Sequence, residues 1–222
     1  MTPDLPTIAD IEAAAARIAP FVFRTPLLES AALNARVGGR IFLKPENLQR
    51  TGSFKIRGAT NRLLMIPEAD RGAGVVAFSS GNHAQGVAAA AASLGMGATI
   101  VMPVDAPQAK LEGTRALGAQ IVTYDRHRED REAIAQQICD ARGAVLVRPF
   151  DDAGVVAGQG TVGLEIAQDM PGLDLVAVPC SGGGLVSGTA LALYRFSPHT
   201  RVVSVEPQGF DGMRLSMESG AR

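Results

Sequence analysis

Lys55 has the most unusual setting of any reactive side chain in the sequence. Most lysines are solvated, but this one falls in Gly52-Ser53-Phe54-Lys55-Ile56-Arg57-Gly58, beside an aromatic and two residues after a candidate helix cap, Ser53. The positive end of a helix and neighbouring cations lower an amine's proton affinity and favour its use as a nucleophile. A second candidate is Cys180-Ser181-Gly182-Gly183-Gly184-Leu185, placed between a strand pattern and a helix pattern. Consecutive glycines let backbone N–H groups converge on one point, and at a helix N-terminus such donors suit a phosphate. A flexible turn is the plainer reading of the same residues. No Gly-Lys-Ser/Thr follows, so this is not a Walker-type loop. The third candidate, Ser79-Ser80-Gly81-Asn82-His83-Ala84-Gln85-Gly86, offers small polar side chains and N–H donors that suit a carboxylate. Taken alone it reads equally well as an ordinary N-cap, and His83 as a capping or packing histidine.

All three loops sit where open α/β sheets bind ligands, at the carboxyl ends of strands leading into helices. Short β-branched runs predict strands at 41–44, 75–79, 99–102, 120–124, 144–147, 175–179 and 201–205. Ala-rich helical patterns fall between them, at 7–19, 54–66, 83–94, 108–117, 129–141, 161–168 and 185–196. Apolar runs of four to six residues bounded by Gly or Pro suit strands buried on both faces, as in parallel sheets, and the alternation predicts an α/β fold. The strand–helix units after Val75 are expected to form a small sheet of their own, and the flanking segments a second one. Gly158-Gln159-Gly160-Thr161-Val162-Gly163 has the letters of a dinucleotide fingerprint. It does not follow a strand directly, and no acid stands about twenty residues on, so it is rejected as a nucleotide site.

The chain has 222 residues, 46% hydrophobic and 19% charged, with a net charge of −1. That balance gives a globular protein and disfavours nucleic acid or an anionic membrane surface as partner. No run approaches the ~18 apolar residues of a membrane span. Asp4, Asp10 and Glu12 argue against a secretory leader. Cys139 and Cys180 form no disulfide framework and no CxxC, which fits a reducing cytoplasm. Three dispersed histidines and two cysteines offer no metal constellation.

Together the pieces resemble the fold-type II pyridoxal phosphate enzymes, in particular the serine/threonine dehydratase and serine racemase family. The matching stretches are Lys44–Gln49 with Gly52–Ala59, then Ser79–Gly86, Ala157–Thr161 and Val178–Leu185, in family order along nearly the whole chain. The resemblance implies a tryptophan synthase β-like architecture of two mostly parallel sheets flanked by helices. Residues 1–47 and 145–222 would form a larger cofactor domain, discontinuous and without its C-terminal part, and 48–144 a smaller substrate-side domain. It implies a Schiff base on Lys55, with Phe54 against the pyridine ring and Asn82 bonded to its 3-oxygen. Ser181, Gly182, Gly183, Gly184 and Leu185 would hold the phosphate of pyridoxal 5'-phosphate. Ser79, Ser80, Gly81, Asn82 and His83 would hold a small amino-acid substrate, and Arg131 aligns with an arginine that approaches it. Lys55 would serve as general base in dehydration and deamination of serine or threonine to a 2-keto acid and ammonia. Ser80 resembles the racemase serine that serves the face opposite the lysine, where many dehydratases carry Ala. Serine or hydroxyaspartate racemisation and dehydration is therefore the alternative reading. The family is usually a homo-oligomer.

Two positions depart from the pattern. Members that bind a divalent cation present a Glu and, six residues later, an Asp; here Glu206 fits, but Gly212 stands second, with Asp211 one residue early. Members also continue for about half as much again, including the Ser, Thr or Cys that faces the pyridine nitrogen, which has no match in these 222 residues. The expectation from length is weak activity and sheet edges prone to association. A β-replacement enzyme is disfavoured by Asn82-His83-Ala84-Gln85-Gly86. A non-catalytic amino-acid-binding module is disfavoured by Lys55 but favoured by the length. A nucleotide-binding α/β protein is the remaining rival.

Overall fold

The computed structural model describes residues 5–220; the acid expected to matter at Asp4 and the outermost ends of the two-part domain lie outside them. Parallel strands and helices alternate along most of this span. The order is α1 (Ile8–Ile18), β1 (Leu28–Glu29), α2 (Ala31–Val37), β2 (Phe42–Leu43), α3 (Lys55–Leu64), β3 (Val75–Phe78), α4 (Asn82–Ser93), β4 (Ala98–Pro103) and α5 (Gln108–Ala116). There follow β5 (Gln120–Tyr124), α6 (Arg131–Arg142), β6 (Val145–Leu146), α7 (Ala153–Asp169), β7 (Leu175–Pro179), α8 (Gly184–Phe196), β8 (Arg201–Val205) and α9 (Gly212–Ser219).

Four strands form one parallel sheet in the order β5-β4-β3-β6. Its sequence explains its two-sided cover. Val75 and Ala77 of β3 join Ile100 and Met102 of β4 in a core with Ile56, Leu63, Val87 and Leu111 from α3, α4 and α5. The alternate residues Val76, Phe78 and Val101 point the other way, onto Ala135 and Cys139 of α6. The sheet runs past residue 144, because Val145 and Leu146 of β6 pair with β3. The remaining strands make two pairs, β1 with β2 antiparallel and β7 with β8 parallel.

α7 is longer than the sequence pattern indicated, beginning at Ala153 instead of 161, and most of it is buried. Asp152 starts it, accepting from the N–H of Val155 at 2.9 Å. The glycines of Gly158-Gln159-Gly160-Thr161-Val162-Gly163 lie inside this helix and permit three close approaches. A Cβ on Gly158 would come within 2.6 Å of Gly58 in α3. One on Gly163 would come within 2.7 Å of Thr189 in α8. Gly160 sits against Ile11 of α1 and Gly188 of α8. The fingerprint letters are thus a helix-packing pattern. α7 is the strut through which α1, α3 and α8 are joined.

A buried ion network ties the same helices to the chain before α3. Arg57 is fully buried and bridges Glu46, at 2.8 Å, and Glu165 of α7, at 2.6 Å. Lys44 reaches Glu165 at 2.6 Å. Two cations therefore meet two carboxylates, which is the condition for such groups to be tolerated in a protein interior.

Candidate active site

A cavity of about 430 Å³ opens at the carboxyl ends of β3 and β7 and brings the three candidate loops together. Phe54 and Lys55 line it from the start of α3, Ser79, Asn82 and His83 from the β3–α4 loop, and Pro179 to Val186 from the β7–α8 loop. Gly86 makes the first of these junctions close: a Cβ there would lie 3.2 Å from the backbone of Lys55 and Ile56. α4 can therefore seat its N-terminus beside the lysine.

Ser53 acts as expected at the helix start, its Oγ accepting from the Lys55 N–H at 3.3 Å. The Lys55 Nζ donates to the carbonyl of Pro149 at 2.7 Å and lies 5.4 Å from the Phe54 ring centre. Burial pushes the amine down to about 8. The direction is the one the sequence suggested, and the cause is removal from water. Near neutral pH a useful fraction of this amine carries a free lone pair.

The β3–α4 loop offers bare donors. Gly81 caps α4 without a side-chain hydrogen bond, and its own N–H donates to Ser79 Oγ at 3.2 Å. The first N–H groups of a helix have no partner within it, so those of α4 remain available for an anion. His83 is buried; its Nε2 donates to the Val147 carbonyl at 3.0 Å, and its Nδ1 has no partner. Burial, with the Lys55 charge adding to it, pushes the imidazole down to about 4 against that hydrogen bond. It is neutral at physiological pH.

At the third loop α8 begins from Gly183, whose φ of +86° is the left-handed conformation that glycine adopts without strain, and no side chain caps it. Its free N–H groups again suit an anion. The neighbouring glycines have a second reason. A Cβ on Gly182 would lie 2.2 Å from the Phe150 ring, and one on Gly184 3.2 Å from the Phe150 backbone. The sequence reading missed Pro149 and Phe150, which complete the cavity. They lie in the loop between β6 and α7, and it is their contacts with Lys55 and Gly182, distant in sequence, that bring them to the site.

Other expected residues stand apart from this lining. Ser80 and Gly81 lie in the bend between Ser79 and Asn82, and Lys110 Nζ comes 3.6 Å from where a Gly81 Cβ would be. Arg131 opens α6 and stacks its guanidinium 5.3 Å over the Phe78 ring, next to Ser79. Glu206 accepts from the N–H groups of Met213, at 2.9 Å, and Arg214, at 3.1 Å, and so caps α9. Asp211 pairs with Arg214. Among the described residues no cluster of three metal-ligating side chains occurs, and no helix is long and apolar enough to cross a membrane.

A half-buried amine facing two helix N-termini without side-chain caps across one cavity is the arrangement expected of enzymes that hold an aldehyde cofactor bearing a phosphate. Comparison with known proteins agrees. Residues 18–222 match the pyridoxal-phosphate dependent enzymes, and the chain belongs to that family. It is 51% identical over 213 residues to an L-threo-3-hydroxyaspartate ammonia-lyase of a Pseudomonas species, covering 96% of this chain and 66% of that protein. An L-threonine ammonia-lyase of Thermotoga maritima is 46% identical, with 96% and 53% covered. The solved maize serine racemase superimposes with a TM-score of 0.95 at 41% identity, covering 98% of this chain and 66% of that one. The chain thus spans about two thirds or less of the length of these relatives.

The residues present fit the family's cofactor. Lys55 would supply the amine for its aldehyde, and the α8 N-terminus after Gly182–Gly184 would supply donors for its phosphate.

Proposed function

We propose that this chain carries the cofactor and substrate site of a pyridoxal phosphate-dependent ammonia-lyase. Its substrate is a small 3-hydroxy amino acid, serine or threonine, which becomes a 2-keto acid and ammonia. The observation that carries the reading is a single cavity holding the Lys55 amine, the bare N-terminus of α4 and the glycine-rich start of α8. The division into a 48–144 unit and a unit from 1–47 with 145–222 belongs to the same proposal, except that Val145 and Leu146 of β6 go with the sheet of the first unit.

When bound, the cofactor supplies an electron sink for the pair left on the α-carbon after its proton departs. The chain's own groups do the rest. Lys55 would anchor the cofactor, and its amine, when free, would take the α-proton as general base; an amine pushed to about 8 is suited to both tasks near neutral pH. Ser181 to Leu185 would hold the phosphate, and Phe54 and Asn82, which line the same cavity, would hold the ring. Ser79, Ser80, Gly81, Asn82 and His83 bring the α4 N–H groups to the substrate carboxylate, with Arg131 approaching from α6. Loss of the β-hydroxyl as water, then hydrolysis at the α-carbon, balances the overall change to keto acid and ammonium.

A second reading has its own support. Ser80 lies in the carboxylate loop between Ser79 and Asn82 of the cavity lining, and its hydroxyl would return a proton to the face that Lys55 does not serve, which gives racemisation. The likeness to a serine racemase, and to an ammonia-lyase acting on 3-hydroxyaspartate, supports extending the substrates to serine or hydroxyaspartate racemisation and dehydration. Keto-acid and ammonia release from serine, threonine and 3-hydroxyaspartate, with enantiomer exchange followed in parallel, tests both readings. Ser80→Ala is expected to lower racemisation at least tenfold while keto-acid formation persists. Unchanged racemisation would remove Ser80 from the mechanism.

A further inference from the structure

Two residues beyond Lys55, the guanidinium of Arg57 is bonded on every side. Its Nε and Nη2 donate to the two oxygens of Glu46 at 2.8 and 2.9 Å. Its Nη1 and Nη2 donate to the two oxygens of Glu165 at 2.6 and 3.0 Å. Thr161 Oγ1 and the Phe23 carbonyl accept from it at 3.2 Å each. Both carboxylates are themselves held, Glu46 by the Thr25 hydroxyl at 2.6 Å and Glu165 by Lys44 at 2.6 Å. None of these groups lines the cavity.

An apolar contact at this point would let α3 rotate or slide by fractions of an ångström. A planar fork matched to two carboxylates has one geometry. The residue after Arg57 removes the remaining slack, since a Cβ on Gly58 would meet the Val155 carbonyl at 2.6 Å. The partner helix is also connected to the site. α7 is preceded by Pro149, whose carbonyl takes the Lys55 amine, and by Phe150, which packs on Gly182. Arg57 therefore clamps the lysine-bearing helix to the helix whose lead-in touches both the amine and the phosphate loop.

We propose that Arg57 is a positioning residue for Lys55: its fork on Glu46 and Glu165 fixes the first turn of α3 and thereby the depth at which the amine sits in the cavity. The proposal rests on the reading of Lys55 as the reactive amine. It does not need the cofactor for its test.

The test is competitive acetylation of Lys55 as a function of pH in the cofactor-free chain, read by peptide mass spectrometry, with thermal unfolding alongside. Two other titratable groups line the cavity. His83 stays neutral and the Cys180 thiol is pushed up by burial first and by Glu206 second, so neither adds a step between pH 6 and 8 through ordinary titration. The wild-type midpoint is expected near 8. Arg57→Lys keeps the charge without the fork, and Arg57→Met keeps the bulk alone; both are expected to raise the midpoint by about one unit or more, slowing acetylation at pH 7 about tenfold. Glu165→Gln is expected to move it in the same direction by less. If Arg57→Met fails to fold, Arg57→Lys and Glu165→Gln carry the test. Variants that melt earlier with an unchanged midpoint would make Arg57 merely structural and overturn the proposal. A wild-type midpoint near that of an ordinary lysine would overturn it as well. A shifted midpoint in a chain that takes up no cofactor would instead leave the positioning role standing and remove the proposed function.

Discussion

At the residue scale, burial governs the chemistry of the cavity more than charge does. Lys55 and His83 both lie in it, and each is pushed toward its neutral form by loss of water. For His83 this has a consequence for stability. Its proton affinity in the fold, near 4, is below the 6.5 of an exposed histidine. Between those values the unfolded chain binds a proton that the native chain does not. The contribution is thus complete above about pH 6.5, falls as pH drops to about 4, and is flat below. The expected loss is about 3 kcal/mol, using ~1.4 kcal/mol per unit. Urea unfolding of wild type and His83→Asn at pH 7 and pH 4.5 measures it. The wild type should lose more stability than the variant over that interval, and equal losses would contradict a buried neutral imidazole.

At the scale of elements, glycine sets how closely the helices approach. Gly58 with Gly158, Gly160 with Gly188, and Gly163 with Thr189 leave no room for a methyl group. In an exposed helix, glycine to alanine adds up to ~1 kcal/mol of stability. Gly158→Ala should do the opposite and cost about 1–3 kcal/mol through overpacking against Gly58. The shift of the urea midpoint gives the sign directly, and a stabilised variant would refute the contact. These elements also show what the sequence could reveal. Strands such as Gln120–Tyr124, Leu175–Pro179 and Arg201–Val205 were legible to the residue, because β-branched runs ended by Gly or Pro have few alternatives. The N-terminal half of α7 was not, because glycine is a poor helix former and its role there is contact with partners distant in sequence. α2 and α9 were missed as well; both are short, and neither buries a residue.

At the scale of the whole molecule, the separate loops acquire meaning only when α3, α4 and α8 bring their N-termini to one cavity. Lys55, Asn82 and Gly182–Gly184 were legible as individual strand-end or helix-start signals. Pro149, Phe150 and the Arg57 network were not, because each depends on contacts across tens of residues. Outside the large sheet, β7 and β8 pair only with each other among the described residues, and Tyr194, Phe210 and Met217 are more than three-quarters exposed nearby in sequence. The central claim concerns the cavity itself and can be examined on the 222-residue chain. The chain is incubated with pyridoxal 5'-phosphate, reduced with borohydride, and digested for mass spectrometry, with the visible absorbance recorded before reduction. A visible band and a reduced adduct on Lys55, both lost in Lys55→Ala, are the predicted result. Absence of the band, or an adduct spread over surface lysines and unchanged in Lys55→Ala, would contradict it.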